Sequence, residues 1–211
     1  MRLWKIEKYW ISSYLVLFLL FITGFSFAAD PSKVGSKYIE MSKGKNNAPV
    51  IFVEYASLTC PACAAFHKNV YPKLNKEYVE TGKIKFIHRE IYFDRAGLWA
   101  ALTARCTNVV NRYFGMLDLL YSEQPMWSKS DSSDEIVNAL LKISAKSGIE
   151  KEKAISCLED QEMALELVNQ YQVYVSQDGI ESTPTFIING KKYTNRPYEE
   201  LKEIIEKELK N

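Results

Sequence analysis

Apolar positions change period several times along the chain, and each change predicts an element. An early apolar run occupies residues 11–27, interrupted only by Ser12, Ser13, Thr23, Gly24 and Ser26. A polar stretch over residues 30–47 follows and contains a strand-like Tyr38-Ile39-Glu40-Met41. Pro49 then opens Val50-Ile51-Phe52-Val53-Glu54-Tyr55, a short β-rich run that predicts a buried strand. Beyond it, Pro61 suits a first helical turn, and Phe66, Val70, Leu74 and Tyr78 recur at helical spacing. One helix is therefore expected over residues 62–80, ending at Gly82, before a second strand over residues 84–91. Strand, helix and strand with a crossover of this length make a βαβ unit, which implies parallel pairing.

Strand signals then vanish from residue 97 to residue 178. Within that block, Ser132-Ser133-Asp134-Glu135 forms a capping box ahead of Ile136, Leu140 and Ile143, and Gly148 stops the helix. Residues 150–158 and 161–175 continue the helical pattern. The pattern returns to β at Thr185-Phe186-Ile187-Ile188, turns at Asn189-Gly190, and runs on through Lys191-Lys192-Tyr193. A last amphipathic helix over residues 198–209 carries Leu201, Ile204, Ile205 and Leu209 on one face. The two β-containing ends are expected to share one sheet, giving an α/β domain with an all-helical insertion. The expected boundaries are residues 29–47 for a linker and first strand, 48–96 with 179–211 for the sheet domain, and 97–178 for the insertion.

Composition narrows the class. An apolar fraction of 47% in 211 residues supplies a sizeable core. A net charge of +1, with no dense Lys/Arg cluster, argues against nucleic acid. Arg2, Lys5 and Lys8 precede the first apolar run, and Ser26-Phe27-Ala28 closes it with small residues at the two positions a signal peptidase reads. Residues 1–28 are thus expected to be a signal peptide cleaved after Ala28, with an uncleaved anchor as the alternative. Either outcome places the globular part outside the cytoplasm, where disulfides persist.

Four cysteines divide into a close pair and a distant pair. Cys60 and Cys63 stand three residues apart on a first helical turn, directly after a buried strand. Free N–H groups and the helix dipole favour negative charge there, which makes Cys60 the attacking thiolate and the more shielded Cys63 the resolving thiol. The alternatives are a permanent disulfide or half of a zinc site, but Cys106 and Cys157 are not spaced as a second knuckle. Glu54 interrupts an otherwise apolar strand, so it is expected to be a buried acid that exchanges protons with Cys63, or else to face solvent at an edge. Pro184, at the start of a strand, belongs at a first strand residue or a tight turn. His67 is expected on the helix surface and His88 in the core, neither with a catalytic role.

Three segments together carry a resemblance. Ala48-Pro49-Val50 through Glu54-Tyr55-Ala56-Ser57-Leu58-Thr59-Cys60-Pro61-Ala62-Cys63-Ala64-Ala65-Phe66-His67, Lys85-Phe86-Ile87-His88-Arg89-Glu90 with Ala104-Arg105-Cys106, and Ser182-Thr183-Pro184-Thr185-Phe186-Ile187-Ile188-Asn189-Gly190 resemble the DsbA-like thioredoxin family. The likeness covers residues 36–211 in order and is greatest to the bacterial branch with an extra cysteine pair in the helical insertion. It implies a thioredoxin fold with an inserted helical domain, Thr183-Pro184 as a cis-proline loop beside the active site, and Glu54 as the family's buried acid. It also implies a Cys106–Cys157 disulfide between two helices of the insertion, with two buried free thiols as the alternative.

One departure bears on chemistry: strongly oxidising members have His before the second cysteine, and this chain has Ala62. An intermediate potential is therefore expected. A periplasmic dithiol oxidase is expected, without a cofactor and acting as a monomer on reduced or unfolded exported proteins. Its reoxidation would fall to a DsbB-type, quinone-linked membrane partner. A disulfide isomerase or reductase is the competing enzyme. Its usual dimerisation domain finds little room in the roughly 20 residues between Ala28 and the first core strand. An envelope binding protein with a vestigial redox centre is the competing non-enzyme.

Overall fold

β-Branched and aromatic runs bounded by Pro and Gly build the sheet on which the site rests. The structure, a computed structural model, describes residues 38–211; the segment expected to be a signal peptide or anchor lies outside the described residues. Met41–Lys43 (β1), Val50–Ala56 (β2), Ile84–Glu90 (β3), Thr185–Ile188 (β4) and Lys191–Thr194 (β5) form one sheet in the order β1-β3-β2-β4-β5. β2 and β3 pair in parallel and the other pairs are antiparallel, as a βαβ unit joined to a hairpin requires. Asn189 and Gly190 both have positive φ, the backbone that a two-residue hairpin turn demands.

The helices follow the sequence pattern with one break. Pro61–Asn69 (α1) and Tyr71–Leu74 (α2) are separate, and a wider turn over Asn75–Val79 continues α2, with Glu80 N–H donating to Asn75 O at 2.9 Å. The single helix expected over residues 62–80 is divided because Pro72 has no N–H and its ring crowds the preceding turn. Arg95–Arg105 (α3), Val110–Ser122 (α4), Gln124–Trp127 (α5), Ser133–Lys146 (α6), Lys151–Leu158 (α7) and Gln161–Asp178 (α8) stand between β3 and β4, and Tyr198–Glu208 (α9) ends the fold. The architecture is a thioredoxin sheet carrying a helical insertion.

Alternation along β2 divides the core. Phe52 faces α1, in an aromatic layer with Phe86 (5.8 Å between ring centres), Phe186 (5.2 Å) and Phe66 beyond it. Val53 and Tyr55 face the other way, onto Tyr171, Tyr174 and Val175 of α8. β1 begins later than the strand-like residues 38–41 suggested. The carbonyl of Ile39 instead accepts from Arg105 Nη1 at 2.8 Å, and Glu40 accepts from Arg89, so side chains hold this stretch outside the ladder.

Candidate active site

β2 ends at Ala56, and a tight turn follows in which Cys60 N–H donates to Ser57 O at 3.1 Å. This leaves Cys60 at the N-cap of α1 in extended backbone, with Pro61 as the first helical residue. The turn is held from two sides. Buried Gln124 donates from Nε2 to the carbonyls of Leu58 (2.7 Å) and Cys60 (3.0 Å). Thr59 Oγ1 donates to Asp94 (2.8 Å), which also caps α3 through Gly97 N–H (2.7 Å).

The two thiols occupy unlike environments. Cys60 is half-buried with its pKa lowered to about 5. Donation from the Cys63 thiol is the largest cause. Partial burial opposes it, while Thr183 and the backbone N–H groups of Cys63 and Ala62 assist. Ala62 contributes only that N–H, where an imidazole would have added a further donor. Cys63 is fully buried, and burial, followed by its hydrogen bond to Cys60 and the negative charges of Glu54 and Cys60, pushes its thiol far up. The pair thus consists of a thiolate beside a thiol that keeps its proton.

Thr183 and Pro184 are joined by a cis peptide, and Cys60 Sγ lies 3.5 Å from Thr183 O. The Thr183 hydroxyl is buried and otherwise unpartnered among the described residues, so it is available to the sulfurs. Cys60, Cys63, Glu54, Thr183 and Pro184 form one site. Cys106 and Cys157 form a separate pair, a disulfide that ties the end of α3 to α7 with Cα atoms 5.4 Å apart.

Beneath the thiols lies a buried polar cluster. Glu54 has no solvent exposure and bonds through Oε2 to His67 Nε2 at 2.8 Å. His67 corrects the expectation of a surface residue: it is 6% exposed, with its ring stacked on Tyr121 at 4.3 Å. The signal that could have found it was spacing, since His67 follows Cys63 by one helical turn and must share its inward face.

His88 is buried beside Glu54 in the β2–β3 register, with its pKa lowered by burial to about 4. Tyr113 OH lies 2.6 Å from His88 Nδ1 and donates to Glu90 at 3.0 Å, so neutral His88 carries its proton on Nδ1. Arg105 completes the chain with two 2.7 Å bonds to Glu90. Glu54, His67 and His88 bring ligand-type atoms within 4.8 Å of one another. Hydrogen bonds occupy Glu54 Oε2, His67 Nε2 and His88 Nδ1, while Glu54 Oε1 and His67 Nδ1 are buried without a partner among the described residues.

A thiolate at a helix N-terminus, a buried partner thiol and the Thr183 carbonyl before the cis-proline, gathered where the interior strands β2 and β4 end and begin, make an arrangement suited to dithiol–disulfide exchange. The family model described as Thioredoxin matches residues 37–207. The chain belongs to the thioredoxin family. Within it, the chain stands among DsbA-like members.

A protein-disulfide oxidoreductase of Rickettsia prowazekii is 30% identical over 181 residues, 85% of this chain and 65% of that protein. This chain therefore spans a little under two thirds of the rickettsial relatives it matches. Disulfide bond formation protein D of Bacillus subtilis is 28% identical, over 79% of this chain and 76% of that one. Among solved structures, alpha-DsbA1 of Wolbachia pipientis superposes with a TM-score of 0.76 at 28% identity, covering 81% of this chain and 91% of that chain.

Proposed function

We propose that this chain is a thiol–disulfide oxidoreductase that introduces disulfides into exported proteins. The observation that carries this reading is the asymmetry of the pair, with Cys60 lowered to about 5 and Cys63 pushed far up. A low first-thiol pKa stabilises the reduced form, so the disulfide is readily given away. A substrate thiolate attacks Cys60 Sγ, the Cys60–Cys63 bond breaks, and its electron pair goes to Cys63 Sγ, which takes up a proton. A second substrate thiolate then attacks the substrate sulfur of the mixed disulfide and expels the Cys60 thiolate. The substrate leaves oxidised and the dithiol is reduced.

Glu54, buried and acting electrostatically on Cys63, is the group to exchange that proton. Reoxidation is assigned to a quinone-linked membrane reductase of the DsbB type. The periplasm is the compartment, a reading that rests on the N-terminal sequence alone. Among the described residues no helix is long and apolar enough to cross a membrane.

The test is the equilibrium reduction potential of Cys60–Cys63 in a glutathione buffer. A Cys60 value of about 5 lies between the roughly 3.5 of DsbA and 7 of thioredoxin. The expected potential is accordingly intermediate, about −150 to −200 mV. A value near −270 mV, that of thioredoxin, would make the protein a reductant and remove the case for a DsbB-type partner.

A further inference from the structure

Cys63 must lose a proton each time it attacks and regain one each time it leaves, yet its side chain has no path to water, being fully buried. Glu54, its nearest acid in charge effect, is equally enclosed, and its Oε1 has no partner among the described residues. A groove of about 900 Å³ runs between α1 and the α4–α5 turn. Neither Cys63 nor Glu54 lines it, but His67 does. The imidazole therefore separates the carboxylate from the groove, with Nε2 on Glu54 at 2.8 Å and Nδ1 buried and unpartnered among the described residues. Asp118 lines the same groove; burial holds its carboxyl above the ordinary carboxylate range, against the opposing effects of His67 and Lys43.

We propose that His67 is a positioning residue that passes the Cys63 proton from Glu54 to the groove. The inference rests on the oxidoreductase reading and adds the exit route to it. In the resolving direction, Glu54 Oε2–H, donating to His67 Nε2, passes its proton to the ring, and the ring, which is 6% exposed, gives up its Nδ1 proton to groove water. The freed carboxylate takes the Cys63 S–H proton. The Cys63 thiolate then attacks Cys60 Sγ, forming the Cys60–Cys63 bond and breaking the bond to substrate, whose sulfur leaves with the electron pair. One proton has then left through the ring, Glu54 is protonated again, and His67 retains its proton on Nε2. The same steps in reverse reprotonate Cys63 when the disulfide is spent. Groups facing the ring are Glu54 from β2, His88 from β3, Tyr71 from α2, and Tyr121 and Asp118 from α4. Of these, His88 holds no charge near neutrality, and Lys43 stands with Asp118 on the groove wall.

The experiment follows decay of a Cys60–peptide mixed disulfide in full-length protein after rapid mixing, across pH, for wild type, His67→Gln and His67→Ala. Both variants are expected to slow Cys63-dependent resolution by about 100-fold, at the lower end of what a positioned proton-transfer group contributes. The midpoint for Cys60 alkylation should remain at about 5 in all three proteins. Free imidazole should restore the Ala variant in proportion to its concentration, an effect a packing defect would not show. Wild-type resolution rates and pH profile in the Gln variant would overturn the proposal. So would a folded but imidazole-insensitive Ala variant. If the Ala variant does not fold, the Gln variant decides alone. A wild type that forms no mixed disulfide at all would instead sink the oxidoreductase reading.

Discussion

At the scale of single residues, protonation states divide the work. Cys60 is held to about 5, so the iodoacetamide reaction rate of the reduced protein should rise with a midpoint near that pH, far below an ordinary thiol. The sign for stability follows. A depressed pKa stabilises the folded reduced form fully above the unfolded value of 9.0, and that contribution is lost as pH falls through about 5. His88 works on a different window. Burial lowers it from 6.5 to about 4, so between those values the unfolded chain binds the proton and the folded chain does not. Unfolding free energy should therefore fall as pH drops from 6.5 to about 4, and His88→Leu should flatten that slope in denaturant titrations. The Tyr113 hydroxyl keeps Glu90 as its acceptor in that variant.

At the scale of elements, a buried ion pair helps fasten the helical layer to the sheet. Arg105, at the end of α3, holds Glu90, at the end of β3, with both partners almost without exposure. Burial alone would raise the Glu90 pKa, but the guanidinium overrides it and holds the carboxyl low. Arg105→Ala leaves that carboxylate buried and unpaired, and should cost about 3–5 kcal/mol by chemical denaturation. Replacing both partners with apolar residues of similar size should cost far less, because no charge is then stranded.

The α6 start shows how local rules bend to context. Ser132 Oγ accepts from Glu135 N–H at 3.4 Å as the capping box anticipates. The Glu135 carboxylate takes Ser130 Oγ instead of returning to Ser132, and Ser130 serves Ser132 N–H. A relay through a third side chain satisfies the same donors, and a four-residue pattern could not reveal it.

At the scale of the molecule, the Cys106–Cys157 disulfide closes a loop spanning 51 positions across the insertion. The chain-entropy model values that closure at about 4 kcal/mol. Replacing both cysteines with Ser should lower unfolding free energy by that order while leaving the alkylation pH of Cys60 near 5.

Much of this architecture was legible in the sequence, because local rules decide it. Alternation and turn chemistry set the β-α-β and β-β-α ends. The burial of Glu54 followed from its apolar neighbours, and the placement of Cys60 at a helix start from Pro61. What packs onto α1 from distant segments was not legible. Spacing from Cys63 puts His67 on the inward face, but its partners Tyr121 and Glu54, 54 and 13 positions away in sequence, meet it only when α4 and β2 close on it. The Gln124 bonds to the Cys60 turn and the Arg105 hold on Ile39 arise in the same way. Periodicity reports which face of an element is apolar. Only tertiary packing decides which polar groups are enclosed with that face and which partners satisfy them, because that depends on where distant segments meet.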